Sequence, residues 1–257
     1  MIIRQLPTDD ILRRLPAIME TKQRLRIDVH VHCHDIMIHA LGRLRALCMA
    51  VDPQNVSPSM AAMIFADAWS IVEQVDLVRH AMAAMPGAET PSTMAFLEHA
   101  AQARLMRTAI DHISQRIPNI ANRSGSSEAL FGALTFVRCD EEQFEMIEAG
   151  QDLECEMVVL ARGTVPGFEA SSPAIDEKAI DTSISNLRLS AAGSSVPLDL
   201  ACAELTQILK ALSTNVRSSI DAEVAEAVAK SSALEHDLRA PAPVIVAASA
   251  PFKVMYE

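Results

Sequence analysis

Two stretches of this chain carry residue types that could do chemistry. In DVHVHCHD, residues 28 to 35, His30, His32, Cys33, His34 and Asp35 place five candidate metal ligands in six positions. Imidazole, thiolate and carboxylate are donors that zinc accepts, so the cluster raises the question of a metal-dependent hydrolase. In RLMRTAIDHISQRI, residues 104 to 117, Arg107 is followed after four residues by His112. A permanently charged, planar guanidinium can stabilise a developing anion, and an imidazole can move a proton near neutral pH.

The histidine cluster depends on the element that carries it. On a strand, His30, His32 and His34 would share one face, as in the first strand of an amidohydrolase-type barrel. On a helix, His30 and His34 share a face and His32 points away. A barrel would need further ligands from later strands, yet the remaining histidines, at 39, 80, 99, 112 and 236, fall in segments of helical character. Eight alternating β/α units are absent. The cluster therefore reads as the start of a helix bearing polar, partly exposed histidines, with no metal and no cofactor expected.

Composition narrows the class. The 257 residues include 33 acidic and 22 basic ones, a formal net charge of −11, which argues against binding nucleic acid or acidic membrane over the whole surface. A local basic cleft stays open. Charges interrupt MIIRQLPTDD where a signal peptide needs an apolar core, and no apolar run reaches the roughly 18 residues of a membrane helix. The five cysteines, at 33, 48, 139, 155 and 202, form no CxxC pair. They read as reduced thiols in a cytoplasmic protein.

The elements that must position these residues are mostly helices. Residues 7 to 22 suggest a short helix, and a second runs from Asp35 to about Met49, capped by Asp28 or Asp35 and ended by VDPQNVSP. Met60, Met63, Ile64, Ile71, Val72, Val75, Val78 and Met82 recur at helical spacing, with Asp67 on the same inward face. After MPGAETPS, with Ser92 or Thr93 as cap, Phe96, Ala100, Ala103, Arg107, Ile110, Ile113 and Ile117 make another apolar stripe, interrupted by Arg107. Pro118 and NRSGSS close it. ALTFV and ECEMVVLAR are strand-like, and NLRLSAAGSSVPLDL alternates around a turn, predicting a hairpin. Helix returns from Leu205 to Val228. The order implies an α+β protein, mainly α: a bundle over 1–131, a small antiparallel β insertion over 132–202, a long helix over 203–232 returning to the bundle, and a Pro/Ala-rich tail over 233–257.

Arg107-x4-His112 also matches the Arg-x(4–6)-His pattern of the HEPN superfamily. ADAWSIVEQVDLVRHAMAAMPG upstream, with HISQRI and LFGALTFV downstream, is similar to bacterial HEPN-like proteins, so the resemblance covers roughly residues 60 to 140. It implies a helical bundle and metal-independent RNA cleavage by 2′-hydroxyl attack. In that chemistry Arg107 and His112 are catalytic, with Asp67, Thr108 and Asp111 in support and Arg104 and Arg116 on the RNA. It also implies a homodimer and a toxin–antitoxin or anti-phage defence setting, with a cognate antitoxin protein as partner.

Thr108 departs from the pattern, which usually has Asn, or another polar residue such as Asp or His, after the arginine; a hydroxyl can still hydrogen-bond but cannot copy an amide's paired donor and acceptor. Five positions on a regular helix also turn by about 140°, so Arg107 and His112 meet only if the helix loosens or a second subunit completes the site. The alternatives are a non-catalytic HEPN-like interaction module and a metal-dependent hydrolase using residues 28 to 35. As a structural pair, Arg107 would be expected to bond Asp67 across two packed helices. Arg123 and Arg138 would add basic character nearby, and Trp69 would pack against another element.

Overall fold

Ser57 accepts a hydrogen bond from Met60 N at 3.2 Å, with Pro58 in the first turn; together they start a 25-residue helix. The structure, a computed structural model, describes residues 3–83, 90–122, 129–146, 153–163, 182–230 and 239–240. Its elements are α1 (Thr21–Ala50), α2 (Pro58–Met82), α3 (Pro91–Asp111), α4 (Ile113–Asn122), β1 (Ala133–Cys139), α5 (Glu141–Met146), β2 (Cys155–Ala161), β3 (Ile184–Ala191), β4 (Ser194–Pro197) and α6 (Leu198–Lys230). The protein is mainly helical with one small antiparallel sheet. No described helix is long and apolar enough to cross a membrane.

The chain divides into two compact units, residues 1–6 with 29–210, and residues 7–28 with 211–257. In the larger unit, α2 buries Ile64, Ile71, Val72, Val75 and Val78, and α3 buries Phe96, Ala100, Ala103 and Met106. Thr90 caps α3, and Thr93 returns the bond to the Thr90 main chain at 3.0 Å, a reciprocal capping box. The cap is thus two residues before Ser92 and three before Thr93. Past Met106 the α3 stripe weakens: Arg107, Ile110 and Ile113 are half-buried and Ile117 is exposed. Pro118 lies inside α4 rather than ending it.

The strand order is β2-β1-β3-β4, antiparallel throughout. The expected hairpin is β3–β4. Ala192 (φ 58°) and Gly193 (φ 74°) supply the left-handed pair that a two-residue turn between twisted strands requires. Arg138 of β1 donates to Val51 O at 2.7 Å and Cys48 O at 3.5 Å, closing the carboxyl end of α1. Its Nη2 also meets Glu156 at 2.7 Å, so this guanidinium serves the sheet. Trp69 packs as expected, its indole N–H donating to Phe131 O at 3.0 Å.

The smaller unit corrects the reading of the amino-terminal region. Residues 7 to 22 hold one 3-10 turn, Ile11–Arg13, capped by Asp10, and α1 begins at Thr21. Asp28 and Asp35 are therefore interior to α1. Both Asp10 oxygens also accept from Ser213 of α6 at 3.0 Å. The long final helix starts at Leu198, five positions before 203. The run VIVAA near residue 245 lies outside the described residues.

The cysteines give a further correction. Cys139 and Cys155 face each other at the end of the β1–β2 ladder, Cα atoms 4.3 Å apart, and form a disulfide. That spacing is normal for directly opposed antiparallel residues and within reach of a bridge. Cys33, Cys48 and Cys202 are free and buried. Spacing along the sequence could not show the pair because it is made by strand register.

Candidate functional site

A polar cluster in the larger unit surrounds Asp76 of α2, which is 3% exposed. A carboxylate so far from water is costly unless donors surround it. Arg79, one turn on, brings Nε to Oδ1 at 3.0 Å and Nη2 to the same oxygen at 2.9 Å. Arg107 reaches across from α3 and donates through Nη1 to Oδ2 at 3.4 Å. His80 places Nδ1 3.7 Å from Oδ1 and 2.9 Å from the Asp76 main-chain oxygen. Residues three and four positions apart lie on one helical face, which is why Arg79 and His80 both reach Asp76.

Arg107 therefore pairs with Asp76, not with Asp67. Asp67 accepts from Arg43 of α1 instead, Nε at 3.2 Å and Nη2 at 2.5 Å. That bond raises the Arg43 guanidinium pKa. Nine positions separate the two aspartates, which turns a regular helix by about 180° and advances it by about 13.5 Å. Both are nonetheless buried, because α2 has neighbours on opposite sides. The expectation of a single inward face chose the wrong carboxylate.

Arg107 sits near the carboxyl end of α3 with its side chain 41% exposed, anchored by Asp76 but open to solvent. His112 is the residue at which α3 stops. Its N–H still bonds Thr108 O at 3.2 Å, while φ −103° and ψ 27° turn the chain into α4. The helix thus ends at the position where the Arg-x4-His spacing required a departure from regularity. No described hydrogen bond joins Arg107 to His112. Arg104, Thr108, Asp111 and His112 are all exposed around this end of α3, and Arg116 lies on α4. Arg123 falls outside the described residues. Arg138, held by α1 carbonyls and Glu156, contributes nothing to this cluster.

The histidine cluster lies inside α1. His30 and His34 share its buried side, at 1% and 0% exposure, while His32 is exposed. The expected half-exposed histidines are thus replaced by two core histidines and one at the surface. Thr206 Oγ1 gives its proton to Cys202 O at 2.8 Å, so it must accept from His34 Nε2, 3.0 Å away. Burial pushes the Cys33 thiol up to about 11, far from the thiolate that binds metal. Among the described residues no group of three or more His, Cys, Asp and Glu side chains is arranged to hold a metal ion.

Asp76, Arg79 and His80 were not among the site residues expected from the sequence. Their signal was present in EQVDLVRH, where Asp-x-x-Arg-His puts one acid and two nitrogen side chains at i, i+3 and i+4. No family model matches this chain, and no curated protein or solved structure matches it.

Proposed function

We propose that this chain is a HEPN-like, metal-independent endoribonuclease, working as a homodimer in the cytoplasm within a toxin–antitoxin or anti-phage defence setting. The observation that supports it is the state of Arg107: a half-exposed guanidinium fixed by a buried carboxylate, five residues before an exposed histidine at a helix break. A guanidinium held in place needs little rearrangement to meet the charge that gathers on phosphorus. His112, exposed at the break between α3 and α4, is available to exchange a proton with the ribose hydroxyl or the leaving oxygen.

The test is incubation of the purified chain with RNA in EDTA. Cleavage should leave 2′,3′-cyclic phosphate ends, because the nucleophile is the substrate's own hydroxyl. His112→Ala and Arg107→Lys should each abolish it without unfolding the protein, the latter because a point charge replaces a planar fork. Thr108→Asn should raise activity. Absence of cleavage by both wild type and Thr108→Asn would sink the nuclease reading.

A second reading is a non-catalytic interaction module. It is favoured by the outer face of α3, where Met94 and Leu105, three turns apart, are 53% and 55% exposed. That reading expects no cleavage under any of these conditions, with self-association lost in Leu105→Asp.

A further inference from the structure

Cleavage by an internal hydroxyl needs two proton transfers in one turnover, one from the 2′-oxygen and one to the departing 5′-oxygen. A single histidine cannot serve both steps at once, and the motif in α3 supplies one histidine per chain, His112. We propose that His80 is the second proton-transfer group of this site, accepting the 2′-hydroxyl proton; this rests on the nuclease reading above.

The ring's own contacts carry the assignment. A carbonyl oxygen can only accept, so the 2.9 Å contact to Asp76 O puts the proton on Nδ1. In a neutral imidazole with that tautomer Nε2 is the lone-pair nitrogen, on a side chain that is 62% exposed. Arg79 Nη2 lies 3.0 Å from Nε2 and 3.3 Å from Nδ1. A nitrogen nearly equidistant from both can stand only over the ring face, because within the ring plane Cε1 would block it. Arg79 Nη2 therefore stands over the imidazole face, off the in-plane direction of the Nε2 lone pair. The result is a ring of fixed orientation, with Nδ1 committed to the main-chain carbonyl.

Asp76 couples this base to the anion-stabilising arginine. One carboxylate holds Arg107 through Oδ2 at 3.4 Å, and the same residue orients His80 through its main-chain oxygen. In the reaction, His80 Nε2 takes the 2′-hydroxyl proton as the 2′-oxygen bonds phosphorus. The bond from phosphorus to the 5′-oxygen breaks with its electron pair on oxygen, and His112 protonates that oxygen. The products are a 2′,3′-cyclic phosphate and a 5′-hydroxyl. Proton exchange with water then restores both histidines.

The experiment compares the full chain with His80→Ala and His80→Gln on RNA in EDTA, with added imidazole or sodium chloride at matched ionic strength. Both variants should lose at least about 100-fold in kcat while KM holds. Imidazole should restore cleavage to His80→Ala, and sodium chloride should not. Wild-type cleavage with full activity in both variants would overturn the role of His80 and leave the nuclease reading standing. Loss through KM, or loss without rescue by imidazole in folded variants, would assign His80 to RNA binding or structure and overturn proton transfer. A wild type that cuts no RNA removes the reading and this role with it.

Discussion

Arg107 donates to Asp76 across 3.4 Å, and this ion pair ties α3 to the side of α2 opposite the one that Arg43 holds through Asp67. Asp76 is the more committed of the two aspartates, because it also holds Arg79, whose side chain is only 17% exposed. Asp76→Ala strands that guanidinium and should cost about 3 kcal/mol, at the lower end for a broken buried pair since Arg107 can reach water. Asp67→Ala releases an arginine already 67% exposed and should cost less. Glu141→Ala, at the surface, should change little. Urea unfolding of the three variants checks the order, and Asp67→Ala as the most damaging would refute it.

The histidines of α1 should separate sharply. His34 is fully buried and bonded to Thr206, so His34→Ala removes a hydrogen bond and leaves a cavity, a loss of about 3 kcal/mol. His32 is exposed, and His32→Ala should leave the melting temperature nearly unchanged. Equal effects would mean that α1 is rotated from the orientation described.

Asp199, in the first turn of α6, is buried, and that burial raises its pKa above 3.8 despite bonds from Leu187 N and Leu200 N. The folded state then holds the proton more tightly than the unfolded state. Stability from this group rises as pH falls through the raised folded value and levels off below 3.8. Asp199→Asn removes the titration, so wild type should gain on the variant as pH is lowered from neutral toward about 4. A difference that shrinks over that range would be the wrong sign.

The three free thiols should resist alkylation in the native protein. Burial pushes Cys33 to about 11, Cys48 to about 12 and Cys202 higher still, so little thiolate exists at neutral pH. Mass spectrometry after iodoacetamide should find these sites modified only under denaturing conditions. The same shifts make the folded state retain protons that the unfolded state loses, so stability should fall as pH rises from 9.0 toward about 11. Replacing Cys139 and Cys155 by serine opens a loop with a sequence separation of 16 and should cost about 3 kcal/mol. Unchanged unfolding in that double variant would argue that the bridge is not formed.

Much of the architecture was legible in the chain because it depends on local patterns. The apolar spacing from Ile64 to Met82 and from Phe96 to Met106 follows the helical period, and α2 and α3 appear where it runs. Alternation around Ala192 and Gly193 requires two positive φ values between strands, and the hairpin is there. The helix break at His112 could be seen only as a condition of the Arg-x4-His spacing, since nothing in ISQRI forbids a continuous helix.

Tertiary structure decided what pairs with what. Asp67 and Asp76 read alike in a periodic pattern, yet α2 is buried on two sides, so one carboxylate meets α1 and the other α3. His30 and His34 looked like surface polar groups because α1 was expected to start at Asp35; its true start at Thr21 carries them into the core. Cys139 meets Cys155 through strand register, which no spacing rule encodes. Periodicity specifies which face of an element avoids water. Which neighbour covers that face is set by packing among elements far apart in sequence, and the partners of Arg107, His34 and Cys139 follow from it.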